Sequence, residues 1–382
     1  MAVTPSVPIW DIFCKVVDNY GDAGVCWRVA RLLHHEHGLA VRLWIDHPQT
    51  LGALRPDLVA DLPVQQIDGV QVHDWSKCTP TPDSVMVVVE AFACGLPETY
   101  ISAMAARAQS PVWIVLDYLT AEAWADTHHG LASPHPSLSL PRWYFYPGFT
   151  PSTGGLPREH DLLQRRDAFE AKARTEFWRR LGFAPPDRHA LTLSLFAYAD
   201  APVADLLSAL SEGEQATVVA IPAGVLLSGV QAFLGRDLAV GDTVRQGGLE
   251  VRVLPFLPQA RYDELLWACD LNFVRGEDSF VRAQWAGKPL IWQPYRQDDG
   301  AHQRKLEAFL QCYSAGLDSA VRAAVSAFSE AWSAGTPVRA LWPALRAFLG
   351  GWSRHALHWS RKQAGLGEMS AKLVDFARNK VK

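Results

Sequence analysis

The sequence predicts an α/β protein of two doubly wound parallel sheets facing a cleft, followed by C-terminal helices. Three observations carry this. At 382 residues the chain exceeds one comfortable hydrophobic core. Apolar strand-like runs alternate with helix-periodic stretches in both halves, the rhythm of parallel βαβ units. A strand also enters a helix through an acidic turn once in each half, at Asp18-Asn-Tyr-Gly-Asp-Ala-Gly24 and at Arg275-Gly-Glu-Asp-Ser279.

The first strand is expected over residues 9–17, rich in β-branched and aromatic side chains. After the acidic turn, Val25, Val29, Leu32 and Leu33 recur at helical spacing over 25–37, and Gly38 ends that helix. Strands follow at 41–45, 85–89 and 112–116, the last two continuous apolar runs that fit strands covered on both faces. Residues 97–108 form a helix between them. Residues 143–149 end the first unit, and the Pro/Ser/Gly-rich 147–157 forms a loop at its edge. A helix over 158–181 leads to the second unit, with strands at 190–196, 216–221, 249–254, 271–274 and 289–292. Beyond 303 the pattern is helical. Gly350-Gly351 marks a break before the last helices, 352–363 and 369–380. The expected domains are 1–157 and 185–350, each Rossmann-like. Two such units with a helical tail resemble the layout of B-type glycosyltransferases, and by that analogy the tail at 352–382 is expected to pack back on the first domain.

Composition narrows the function. Hydrophobic residues at 49% and charged residues at 20% describe an ordinary globular protein. A net charge of −4 speaks against a nucleic-acid binder, which carries a basic field. No apolar run is long enough for a membrane span, and Met1-Ala-Val-Thr-Pro5 lacks the regions of a signal peptide. The six cysteines have no C-x-x-C spacing and read as small buried hydrophobes in a reducing compartment, which places the protein in the cytoplasm.

Motifs exclude further classes. There is no G-x-G-x-x-G after the first strand, no G-x-x-x-x-G-K-[ST] and no G-x-S-x-G, which disfavours dehydrogenases, P-loop enzymes and serine hydrolases. No D-x-D pair offers a metal-held diphosphate site. His34-His-Glu-His37 closes a helix and reads as a cationic last turn, and His128-His129 as a surface loop.

What remains gathers at strand exits. The turn at Arg275 opens a helix running to Ala286, whose free N–H groups and dipole attract phosphate. Asp278 or Ser279 caps that helix, and Arg275 and Arg282 supply cations. Phe196-Ala-Tyr198 and Leu254-Pro-Phe-Leu-Pro-Gln259 follow other strands of the same half. They make a base-stacking pocket plausible, with Gln259 on a pyrimidine edge. Open α/β sheets bind ligands at these carboxyl ends.

Two long stretches go further than spacing. Phe13-Cys-Lys-Val-Val-Asp-Asn-Tyr-Gly-Asp22 and the run from Arg275 through Gln284 to Ala-Gly-Lys-Pro289 closely resemble the signatures of the EarP family. Glu90-Ala-Phe-Ala-Cys-Gly-Leu-Pro97 and Gly148-Phe-Thr-Pro-Ser-Thr-Gly-Gly-Leu156 support the resemblance. It implies an inverting glycosyltransferase that moves rhamnose from dTDP-β-L-rhamnose to an arginine of elongation factor P, without a metal or other cofactor. Carried over by position, Asp22 matches the general base, and Asp18 and Glu277 the other essential acids. Phe196, Tyr198, Phe256 and Gln259 fall at thymidine-pocket positions, and Arg275, Asp278 and Ser279 at the diphosphate turn. Tyr20 and Gly21 join the nucleotide-sugar contacts. Expected partners are the protein acceptor and the nucleotide sugar, with no nucleic acid and no membrane.

Overall fold

A computed structural model describes residues 8–18, 20–59, 61–135 and 137–381. The stretch Met1–Pro5 and Asn19 of the first acidic turn lie outside the described residues. The chain divides into two compact units: residues 1–160 with 363–382, and residues 161–362.

The first unit holds β1 (Ile9–Cys14), β2 (Ala40–Ile45), β3 (Val64–Ile67), β4 (Val70–Asp74), β5 (Val85–Ala91), β6 (Val112–Leu116), β7 (Ala132–Pro134) and β8 (Pro141–Phe145). They form one sheet in the order β3-β4-β2-β1-β5-β6-β8-β7. The interior pairs are parallel, β1 lying between β2 and β5, and the two edges are antiparallel. Parallel strands are covered on both faces, and the Val-rich β5 and β6 show it: Val87, Val88, Val89, Ile114 and Val115 are all buried. Phe13, Trp44, Tyr100 and Trp113 anchor a core cluster on one side of the sheet.

The second unit holds β9 (Leu191–Leu195), β10 (Thr217–Pro222), β11 (Thr243–Gln246), β12 (Leu249–Leu254), β13 (Leu271–Arg275) and β14 (Leu290–Gln293). Their order is β11-β12-β10-β9-β13-β14, parallel except for β11. The two parallel sheets expected from the sequence are present.

Several elements differ from expectation. The first helix is Tyr20–His37 and begins five residues early, so the acidic turn closes onto its first turn. The helix expected over 158–181 is two, Leu162–Asp167 and Ala171–Arg180. Glu170 is extended between them, while Phe169 packs edge-on against Phe177 and Trp267. Gly350-Gly351 does not break the tail: both lie in the first turn of Leu349–Ala364. Four short strands at or next to sheet edges, β3, β4, β7 and β11, carried too little apolar pattern to be anticipated. His129 is half-buried rather than a loop surface group. Its Nδ1 accepts from Tyr146 N–H at 3.0 Å, and burial lowers its pKa.

The last helix, Met369–Arg378, belongs to the first unit. Its Phe376 packs edge-on against Phe145 and Trp143, and Lys372 donates to the carbonyl of Thr153 at 3.0 Å. Arg158 meets Glu368 at 2.8 Å. In the second unit, Asp278–Ala286 packs against Gln259–Ala268 around a buried charge cluster. Arg282 reaches both oxygens of Asp263 at 3.0 Å and Asp278 Oδ2 at 2.8 Å.

Two substitutions test these supports by urea denaturation. Arg282→Met strands two carboxylates and is expected to cost about 3–5 kcal/mol. Gly287 ends the helix at φ +64°, where an added Cβ would sit 3.2 Å from Leu357 Cδ1. Gly287→Ala is expected to lower stability by about 1–2 kcal/mol with an unchanged m-value.

Candidate active site

In the first unit the site forms where β1 runs into the helix Tyr20–His37. Asp22 is 1% exposed. Its Oδ2 accepts the backbone N–H groups of Val17 and Asp18, both at 2.8 Å, so the carboxylate folds back over its own turn. Its Oδ1 accepts the hydroxyl of Tyr118 at 3.2 Å. Burial pushes the Asp22 carboxyl above its ordinary value. The amides of Asp18 and Val17 and the Tyr118 hydroxyl pull it back, and the charge of Asp46 adds to the rise. Asp46, at the exit of β2, accepts Val16 N–H at 2.9 Å and holds the strand end beside it.

Asp18 is half-buried on the same turn, and Tyr20 and Gly21 occupy the start of the helix. Gly21 N–H donates to the carbonyl of Asp18 at 2.6 Å. A Cβ at position 21 would fall 2.5 Å from Asp18 Oδ2, so the absence of a side chain lets the Asp18 carboxylate lie over the turn. Further along the helix, the fully buried Arg28 binds Glu159 through Nε at 3.0 Å and Nη2 at 2.6 Å. This bidentate pair fixes the helix that carries Asp22.

In the second unit the site forms where β13 runs into the helix Asp278–Ala286 through a turn at Gly276, φ +59°. Gly276 N–H donates to the carbonyl of Gln293 at 3.1 Å, and Trp292 Nε1 donates to the carbonyl of Gly276 at 2.7 Å. Trp292 in turn stacks on Phe280 with centroids 3.9 Å apart. Glu277 is the N-cap residue, half-buried, and its side chain makes no capping bond. The Arg275 guanidinium lies over both Phe196 and Tyr198, 4.5 Å from each ring centroid. Gln259 Nε2 donates to Asp278 Oδ2 at 3.0 Å, and Phe256 is half-buried on the segment before it. The structure thus brings Arg275 together with Phe196 and Tyr198, and Gln259 together with Asp278.

Two expectations for this turn are corrected. Neither Asp278 nor Ser279 caps the helix. Asp278 turns to Arg282 and Gln259, and Ser279 Oγ bonds the backbone of Arg275 at both its N–H and its carbonyl. Arg282 is not a cation held out to a phosphate, because it is 2% exposed and committed to Asp263 and Asp278. Arg275 lies instead on the rings of Phe196 and Tyr198.

Sequence reasoning missed Tyr118, Phe92 and Gln293. Gln293 Oε1 accepts Tyr198 N–H at 2.8 Å and its Nε2 donates to Asp200 at 2.9 Å, which holds the aromatic segment after β9. All three lie at the exits of parallel strands, a signal that was available. Among the described residues no three His, Cys, Asp or Glu side chains gather as a metal site, and no helix is long and apolar enough to cross a membrane.

Comparison with known proteins agrees with the resemblance carried by the two turns. The model of the family described as Elongation-Factor P (EF-P) rhamnosyltransferase EarP matches residues 10–378. A protein-arginine rhamnosyltransferase of Pseudomonas putida is 46% identical over 97% of this chain and 98% of its own. One of Pseudomonas aeruginosa is 45% identical over 96% and 98%. A structure solved to explain EarP-mediated arginine glycosylation of translation elongation factor EF-P superposes with a TM-score of 0.70. It is 36% identical and covers 97% of this chain and 99% of that one. With nearly its whole length matched on both counts, the chain belongs to the EarP family of elongation factor P rhamnosyltransferases.

Proposed function

We propose that this protein is a B-type, inverting glycosyltransferase that moves L-rhamnose from dTDP-β-L-rhamnose to one arginine of elongation factor P in the cytoplasm. The observation that carries the reading is the buried Asp22 carboxylate, held by two backbone amides through one oxygen. The family membership supplies the acceptor and the sugar.

The chemistry asks for such a group. A guanidinium has a pKa above about 12 and is a poor nucleophile while protonated. Against a carboxylate near pKa ~4 the mismatch is roughly eight units, over ~10 kcal/mol at ~1.36 kcal/mol per unit. The proton therefore leaves late. As the arginine nitrogen bonds to the anomeric carbon, the carbon–oxygen bond to the diphosphate breaks and its electron pair departs with dTDP. The nitrogen, now strongly acidic, passes its proton to Asp22. Through Oδ1, the oxygen that its backbone amides leave open, Asp22 also accepts from one guanidinium N–H and aims that nitrogen. Asp18 and Glu277 orient the acceptor or stabilise charge on the sugar.

On the donor side, Arg275 and the N-terminus of Asp278–Ala286 take up the charge of the leaving diphosphate, with no metal ion in the scheme. Phe196, Tyr198, Phe256 and Gln259 receive the thymidine. Ser279, tied to the backbone of Arg275, and Asp278, tied to Gln259, hold the two parts of this site in register.

Mass spectrometry of elongation factor P after incubation with the enzyme and dTDP-rhamnose tests the proposal. A single deoxyhexose increment on arginine is expected, and no increment refutes it. Unlabelled dTDP should compete with the donor better than UDP or GDP. Asp22→Asn should lower turnover at least ~10²-fold while dTDP affinity stays nearly constant. A fully active variant removes Asp22 from the base role.

A further inference from the structure

The exits of β5 and β6 carry a structure that the proposed reaction does not yet use. Phe92 and Ala93, which follow β5, both adopt left-handed backbone conformations, φ +57° and +49°. Two consecutive non-glycine residues there cost conformational energy and persist only where their surroundings hold them. Phe92 N–H donates to the carbonyl of Leu116 at 2.7 Å, tying the kink to the end of β6. The kink lays the Phe92 ring flat on Tyr118, with centroids 4.2 Å apart and planes 13° apart. Tyr118 is fixed at its own backbone as well, its N–H donating to Asp117 Oδ1 at 2.7 Å. A tyrosine clamped at ring and backbone has its hydroxyl aimed, and it is aimed at Asp22 Oδ1, 3.2 Å away.

We propose that Tyr118 is a positioning residue for the transfer reaction, a hydroxyl that orients Asp22 Oδ1 and sets its proton affinity. This rests on the reading of Asp22 as the base. Oδ2 is filled by two amides, so Oδ1 is the oxygen that takes the proton. One hydrogen bond from Tyr118 occupies part of it and leaves a lone pair to take the proton. Tyr118 gives up no proton. It favours the charged carboxylate before transfer, and the strained Phe92 support keeps it from following the arginine.

The other groups around Asp22 are Asp46 from the exit of β2, Asp18 in the turn and the thiol of Cys26 one helical turn on. Among the described residues, Tyr118 is the hydroxyl that meets Oδ1, and the negative charge of Asp46 acts in the opposite direction to it.

The test is Tyr118→Phe in the full-length enzyme, which keeps the ring on Phe92 and removes only the hydroxyl. Asp22 must be ionised to accept the proton, so activity falls as pH drops through its pKa. Losing a donor to the carboxylate raises that pKa. The acid limb of kcat/KM should therefore move to higher pH by about one unit, with kcat down about tenfold and dTDP affinity unchanged. In an Asp22→Asn background the same substitution should cost nothing further, because its partner charge is gone. A profile that overlays the parent, or an equal loss with and without Asp22, overturns the proposal. If Asp22→Asn alone stays fully active, the base assignment itself is lost. If it is inactive while Tyr118→Phe leaves the profile unmoved, only the role of Tyr118 is lost. Should Tyr118→Phe fold poorly, Phe92→Leu, which loosens the clamp and keeps the hydroxyl, must shift the same limb in the same direction.

Discussion

A carboxylate taken out of water at the end of a parallel strand is the constraint around which the first unit is built. Asp22 loses its hydration by burial and regains hydrogen bonds from groups that the fold fixes: two amides of its own turn and one hydroxyl from the exit of β6. The distant groups depend on the parallel order of the sheet. The turn must follow β1, Asp46 must come from the neighbouring β2, and Tyr118 must come from β6 two places away on the other side. A change of strand order would leave the carboxylate with the amides of its own turn and without the Tyr118 hydroxyl.

The second unit treats its buried arginines in two ways. Two arginines flank its turn, Arg275 at the end of β13 and Arg282 on the following helix, and they have opposite fates. Arg282 is sunk between Asp263 and Asp278, where its charge joins two helices. Arg275 is left against two aromatic faces, Phe196 and Tyr198, a setting that holds a guanidinium without neutralising it. The turn itself is braced by Trp292, whose indole N–H meets the Gly276 carbonyl while its ring stacks on Phe280. Bracing of the backbone and stacking of the guanidinium are thereby assigned to different residues.

This division also explains what was legible in the sequence. Interior strands such as β5 and β6 announce themselves, because a strand covered on both faces is a continuous apolar run. The edge strands do not, although Asp68-Gly69 between β3 and β4 is a favoured hairpin turn, at φ +47° and +81°, and could have been used. The site turns were visible as acidic strand-to-helix junctions, and the family resemblance rested on those residues. Their supports were visible only as residues at strand exits, not as partners of these turns. Asp22 and Tyr118 are 96 positions apart, and Tyr198 and Gln293 are 95 apart. Nothing local marks such partners, since the pairing is made by sheet order alone. The fate of Arg282 likewise depends on Asp263, which lies on another helix, and that of Arg275 on the distant Phe196 and Tyr198.

The proposed reaction adds a reason for the mixed environment of Asp22. Burial alone would raise its proton affinity and bring it closer to that of an arginine nitrogen, but a carboxylate raised too far is protonated before the acceptor arrives and is useless as a base. Hydrogen bonds alone would keep it ionised and leave it too weak to receive a proton. At Asp22 burial and the charge of Asp46 raise the proton affinity, and the two amides and one hydroxyl oppose that rise. Because the proton leaves only as the new carbon–nitrogen bond forms, the base has no need to match the resting guanidinium. It must match the far more acidic nitrogen of the nascent product, and stay charged until then.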